Sequence, residues 1–132
     1  MLKKFIALFF IFANYASSQS VIPNLETISQ NGNVIKIFSE LRPITINNIH
    51  NWIINIEDSK NNPINDLIIT VTGGMPIHSH GLPTSPKVTS QISSGLYKLE
   101  GIKFHMAGEW EIIMELKNDD SIDIAKIVFD IK

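Results

Sequence analysis

The chain has 132 residues, a formal charge of −2 and no cysteine. A chain of this length holds one domain. The absence of cysteine excludes disulfide frameworks, thiol catalysis, iron–sulfur ligation, cysteine-ligated blue copper and lipoprotein-type lipid anchors. The sequence has no cluster of lysine or arginine that could bind a row of phosphates, so we do not expect a nucleic acid as partner.

The first 18 residues have the plan of a secretory signal peptide. Lys3 and Lys4 give a charged start, residues 5–12 form a short apolar run, and residues 16–18 read Ala-Ser-Ser, small side chains of the kind that signal peptidase accepts. The apolar run is shorter than the roughly 20 residues of a membrane span. We predict cleavage after Ser18, no stable membrane span afterwards, and a periplasmic or secreted protein with a charge of about −4. An uncleaved N-terminal anchor is the alternative interpretation.

After residues 19–32, which we predict to be a flexible N-terminal segment, short β-type runs alternate with turns. No stretch shows a sustained helical period. Seven short strands at regular spacing are typical of an immunoglobulin-like β-sandwich, which we place at residues 33–132. The predicted strands span residues 33–40, 49–58, 66–72, 87–92, 96–104, 109–117 and 122–131.

The fifth predicted strand changes phase at Gly101. Before it, Tyr97 and Leu99 share one face, whereas beyond it the apolar residues are Ile102 and Phe104, which have the other parity. A β-bulge at Gly101 would restore one continuous inner face. On that alternation Met106 would point the same way as Phe104, and His105 would point away.

Topology predicts that the histidines gather at one end. If successive strands alternate in direction, loops two apart in the chain lie at the same end of the sandwich. The loops at 41–48, 73–87 and 105–108 should therefore meet. They carry or adjoin all of the histidines and two of the methionines, namely His50, Met75, His78, His80, His105 and Met106.

The loop sequence GGMPIHSHGLPTSP, residues 73–86, predicts a metal site. His78 and His80 form an H-x-H pair, and residues i and i+2 of an extended segment point the same way. Imidazole suits copper and zinc, and thioether favours Cu(I). Prolines and glycines shape the loop in advance, which lowers the entropy lost on binding. The alternative is that these are surface histidines, with Met75 and Met106 as core residues.

Enzyme interpretations find less support. The sequence has no H-E-x-x-H, no G-x-S-x-G and no P-loop, and the H-x-H pair is not followed by the Asp-His of metallo-β-lactamase-type sites. Trp52 and Trp110 are interpreted as core residues, and the glutamates at 109, 111 and 115 as a solvated face. We therefore do not expect this protein to be an enzyme. A deep pocket around the histidines would instead favour a zinc-dependent enzyme.

Three segments, HNW at 50–52, GGMPIHSHGLPTSPKVT at 73–89 and GLYKLEGIKFHMAGEWEI at 95–112, resemble the YtkA-like domain family. The resemblance spans about residues 47–117. It implies a small exported or membrane-anchored immunoglobulin-like domain, related to domains found beside copper transport and respiratory-oxidase assembly proteins. Ala107 stands where typical members have proline. Carrying the family motif over implies a site formed by His50, Met75, His78, His80 and Met106, with His105 left open.

The sequence thus predicts an exported copper-binding protein with a His/Met site, Cu(I) being the favoured ion. Its expected role is to carry copper or deliver it to an envelope metalloprotein. The alternative is a metal-free, immunoglobulin-like interaction module of the cell envelope, which an exposed apolar patch away from the histidines would favour.

The export prediction has a direct test. The mature protein should begin near Gln19 and be recovered in soluble form outside the cytoplasm, because its start has the charge, apolar run and small residues of a cleaved signal. N-terminal sequencing measures this. A membrane-bound protein that retains Met1 would replace cleavage with the anchor.

Overall fold

A computed structural model describes residues 21–132, so the predicted signal peptide lies outside the described residues. The described part of the chain is all-β, and it contains no helix long and apolar enough to cross a membrane. Its strands are β1 Leu25–Ile28, β2 Val34–Ser39, β3 His50–Glu57, β4 Ile68–Met75, β5 His80–Gly81, β6 Lys87–Ser93, β7 Leu96–Ile102, β8 Gly108–Lys117 and β9 Ile122–Ile131.

The strands form two antiparallel sheets that share one core. One sheet has the order β1-β2-β3-β7-β6 and the other the order β5-β4-β8-β9. All seven predicted strands are present, but the expected count of seven is wrong, because between residues 21 and 132 the chain forms nine. The additional strands are β1, which lies in the segment predicted to be flexible, and β5, which lies in the long loop. Both are too short to give a period-2 signal.

The core is built by the alternation expected of half-buried strands. In β3 every second residue from His50 onward is buried, and β8 buries Trp110 and the alternate residues that follow it. Trp52 and Trp110 are completely buried, as predicted. Of the three glutamates predicted to form a solvated face, 109 and 115 are exposed and 111 is half-buried. The inner faces of the two sheets therefore meet around two tryptophans.

The edges of the sheets are joined where β1 lies beside β9. Thr27 Oγ1 donates a hydrogen bond of 2.7 Å to the carbonyl oxygen of Lys126. The backbone N–H of Gln30 donates one of 2.8 Å to the carbonyl oxygen of Ile124. These bonds satisfy backbone groups that an open edge would leave unpaired.

A buried tyrosine holds the connection between β3 and β4. The hydroxyl of Tyr97, on β7, donates a 2.7 Å hydrogen bond to the carbonyl of Ile64 and accepts one of 3.3 Å from the N–H of Leu67. Burial raises the pKa of the Tyr97 phenol. The phenol therefore stays protonated and able to donate while the fold is intact.

The predicted bulge at Gly101 is confirmed. His50 pairs with Ile102 and Trp52 pairs with Leu99, so β7 carries one more residue than β3 across this step. Gly101 has φ of +83°, in the left-handed region. Such a bulge places its first residue in that region and favours glycine there. The bulge lets β7 deliver both Leu99 and Ile102 to the core.

The bulge predicts a specific cost for Gly101→Ala. An added Cβ would meet nothing within 4 Å, so backbone strain is the only penalty, and the free energy of unfolding should fall by about 1–2 kcal/mol. Gly81→Ala is the control, because Gly81 is outside the left-handed region and an added Cβ would lie 3.9 Å from its nearest neighbour, the carbonyl oxygen of Gly73. The control should change stability by less than about 0.5 kcal/mol. Urea unfolding compares the two, and equal stabilities would show that the left-handed backbone is not required.

Candidate metal centre

The three loops expected to meet do so. The N–H of Asn47 donates a 2.7 Å hydrogen bond to the carbonyl of Phe104, which joins the loop before β3 to the segment after β7. The ring centres of His80 and His105 lie 5.6 Å apart, which joins the long loop to that same segment. We call this end of the molecule, formed by residues 40–49, 76–86 and 103–107, the histidine pole.

The H-x-H pair sits on a hairpin instead of an extended segment. β4 continues through Met75, a turn follows at 76–79, and His80 pairs with Met75 at the start of β5. The N–H of His78 donates a 3.1 Å hydrogen bond to the Met75 carbonyl, and Ser79 has φ of +51°. The extended geometry predicted for the pair is therefore wrong, because the chain has only four residues in which to reverse direction.

Two glycines allow the backbone of β4 to pack closely against β5 and β8. A Cβ on Gly74 would overlap the carbonyl oxygen of His80. A Cβ on Gly73 would lie 2.7 Å from the carbonyl oxygen of Glu111, on β8. The double glycine at the end of β4 therefore positions His80 through backbone contact.

Three histidine rings follow one another across the pole. His78 and His80 have ring centres 6.2 Å apart, and His80 and His105 have theirs 5.6 Å apart. A metal–nitrogen bond of about 2.0 Å, added to the size of the ring, places two imidazole centres on one ion about 5–6.5 Å apart. The ring spacings are thus compatible with imidazoles that bind the same ion. In residues 21–132, however, no three His, Asp or Glu side chains already form a metal-holding group, so binding requires the exposed His78 and His80 to turn.

His105 lies deeper than its partners. Its ring is half-buried and stands at 74° to Trp110, with ring centres 5.5 Å apart. Its Nδ1 is buried and has no hydrogen-bond partner among the described residues. The strand predicted over 96–104 ends at Ile102. Alternation therefore does not govern where His105 points, although the expectation that it points away from Phe104 rested on alternation.

His50 has a different environment. It is only 3% exposed, its Nδ1 lies 3.0 Å from the carbonyl oxygen of Asn48, and its Nε2 accepts a 3.0 Å hydrogen bond from Trp52 Nε1. The carbonyl requires a proton on Nδ1, which leaves the Nε2 lone pair for the indole. Both nitrogens are occupied, so in this conformation His50 offers a metal no lone pair. The ring of His50 packs instead against Trp52 and Phe104, with ring centres 6.2 and 6.1 Å away.

The two methionines differ in access. Met75 is 1% exposed, and its methyl carbon would lie 2.9 Å from a Cβ added at Gly108. Met106 is half-buried against the core, and its carbonyl accepts a 2.9 Å hydrogen bond from Trp110 Nε1. Met106 is therefore the thioether closer to solvent, whereas the sulfur of Met75 lies inside.

A cleft of about 390 Å³ opens beside His80. One wall includes Met75 and the turn, and the other includes Glu111 on the outer face of β8. The Glu111 carboxylate lies 3.2 Å from the ammonium group of Lys126. The carboxylate in this cleft is thus already paired with a cation.

The role of His50 predicts a structural phenotype. His50→Phe should lower the free energy of unfolding by about 1–3 kcal/mol, because the buried N–H of Trp52 loses its acceptor. It should leave metal affinity unchanged. Thermal unfolding and a metal competition titration on the same sample measure the two effects, and a loss of affinity in a folded variant would restore His50 as a ligand.

Comparison with known proteins assigns the chain to a family. A sequence profile described as YtkA-like matches residues 29–115. The matched region runs from β2 into β8 and includes every candidate ligand. Neither curated proteins nor solved structures gave a match. Because the profile covers well over half of the sequence, this protein belongs to the YtkA-like family.

Proposed function

We propose that this protein is an exported copper-binding domain that carries copper at the histidine pole and delivers it to an envelope metalloprotein. The observation that supports this most is the 6.2 Å spacing of the His78 and His80 rings on a hairpin seated by glycines. Export to the periplasm or the exterior rests on the signal-peptide pattern of residues 1–18. Copper is cargo in this proposal, and the protein is not an enzyme.

The donor chemistry favours copper over other ions. The pole offers imidazole nitrogens and, within one residue of His105, the thioether of Met106. Thioether stabilises Cu(I) and adds little for zinc, while calcium and magnesium require oxygen ligands. The nearby Glu111 carboxylate is paired with Lys126. The site therefore suits a soft monovalent ion better than a hard divalent one.

Exposure of the ligands suits a carrier. His78 and His80 are exposed, and the cleft beside His80 is open to solvent. Ligands of a partner protein can then reach the ion while the hairpin still holds it. Transfer by stepwise ligand exchange needs this access, whereas a structural metal site is closed.

We further propose that the fold is immunoglobulin-like. The order β2-β3-β7-β6 in one sheet, opposite β4-β8-β9 in the other, corresponds to the ABED and CFG sheets of that architecture. In this assignment β1 and β5 are additions to a seven-stranded frame. The binding site then lies on loops at one end of the frame, held by its rigid sheets.

One feature favours the alternative of a metal-free interaction module. At the end opposite the histidine pole, Ile68 and Ile122 are 68% and 53% exposed. Both pair with Lys117 and so lie in one row across three strands. Two exposed isoleucines that flank a lysine in this way suit a protein contact. Under the copper proposal, changing these residues should leave metal affinity intact.

The copper proposal predicts that the mature domain binds one Cu(I) more tightly than Zn(II). Replacing His78 and His80 together with alanine should weaken Cu(I) binding most, because they are the exposed imidazole pair. Met106→Leu should weaken Cu(I) but not Zn(II), since it removes sulfur and keeps apolar volume, at a stability cost under about 1.5 kcal/mol. Titration against a Cu(I) chelator measures each affinity.

Met114→Leu is the matched control for these titrations. Met114 is completely buried on β8. Its replacement by leucine makes the same chemical change as Met106→Leu, but in the core and away from the histidine pole. It should bind copper as the wild type does. Equal Cu(I) affinity in the wild type and in the folded His78/His80 double variant would contradict the proposed site. The metal-free interaction module would then be the remaining proposal.

A further inference from the structure

The structure assigns a third imidazole to the site. We infer that His105 joins His78 and His80 in holding the ion, so that the site has three nitrogen ligands and His50 is not one of them. This inference rests on the proposed function, because it names a ligand of the same site. It departs from the ligand set that the sequence motif implies, in which His50 was included and His105 was left open.

The ring of His80 neighbours both of the other rings, with centres 6.2 Å from His78 and 5.6 Å from His105. Both separations fall in the range of about 5–6.5 Å expected for imidazoles on one ion. His80 and His105 are nearly perpendicular, at 86°. Two rings related in this way can each direct a nitrogen at one point after a turn of the exposed His80.

Nδ1 of His105 is buried without a hydrogen-bond partner in residues 21–132. A buried polar atom left unpaired is destabilising, so native proteins rarely retain one without a reason. A metal ion at His105 would supply a partner for this nitrogen. The same nitrogen in His50 already lies 3.0 Å from the carbonyl of Asn48.

His105 stands against Trp110, and Trp110 is completely buried and bonded through Nε1 to the carbonyl of Met106. The indole therefore holds the segment that carries His105 on a rigid support. His105 is thus the fixed ligand, and His78 and His80 are the ones that close onto the ion. A ligand held in advance lowers the entropy lost on binding.

The test is a nitrogen-resolved measurement. Long-range ¹H–¹⁵N NMR spectra of the mature protein, recorded before and after one equivalent of Cu(I), report on each imidazole nitrogen. Cu(I) is diamagnetic, so the signals survive. We expect one nitrogen each of His78, His80 and His105 to shift on coordination, and the signals of His50 to stay in place as an internal control.

A variant completes the test. His105→Phe keeps an aromatic ring against Trp110 and removes both nitrogens, so the protein should remain folded while its Cu(I) affinity falls at least about tenfold. If the phenyl ring disturbs packing in the thermal unfolding curve, His105→Gln provides a polar replacement of smaller volume.

The outcomes separate this inference from the function on which it rests. Shifts at His78 and His80 without a shift at His105, together with unchanged affinity in His105→Phe, would overturn the third ligand and leave the copper proposal standing. No histidine shift at one equivalent of Cu(I) would overturn both.

Discussion

The structure depends on a cluster of aromatic rings packed between its two sheets. Phe104 lies between Trp52, on β3, and Trp110, on β8, with ring centres 6.0 and 5.1 Å away. All three rings are completely buried. Because Trp52 and Trp110 belong to different sheets, Phe104 joins the sheets at the histidine pole, and truncating a buried aromatic of this kind costs about 3–5 kcal/mol. This cluster supports the segment after β7, which carries His105 and Met106.

The same aromatic cluster gives two histidines opposite roles. On one side, His50 packs against Phe104 at 6.1 Å and accepts the indole proton of Trp52. On the other, His105 stands on Trp110 with a buried nitrogen left unpaired. His50 accepts a hydrogen bond from a buried indole, whereas His105 lies beside the His80 ring of the hairpin. Residue type and position at one pole are therefore insufficient to identify a ligand, since the hydrogen bonds of each ring nitrogen decide whether a lone pair remains.

Much of this arrangement follows from the sequence, and the exceptions have physical causes. Period-2 alternation predicted the inner faces of β3 and β8, and the change of phase predicted the bulge at Gly101. Strand direction predicted which loops meet. Alternation could not reveal β5, whose two residues are placed by the backbone approach to Gly74. Nor could it reveal the hydrogen bond between His50 and Trp52, because both residues simply appear on one buried face. Side-chain hydrogen bonds of this kind depend on rotamers, which a pattern of apolar and polar residues does not encode.

We propose that imidazoles hold copper at the histidine pole. X-ray absorption at the copper edge, on the mature protein loaded with one equivalent of Cu(I) and desalted, is the decisive measurement. We expect copper to stay with the protein and to show the outer-shell scattering of imidazole rings. We also expect this scattering to diminish when His78 and His80 are replaced with alanine. Copper that is lost on desalting, or a spectrum that is the same in the wild type and the double variant, would contradict the proposal.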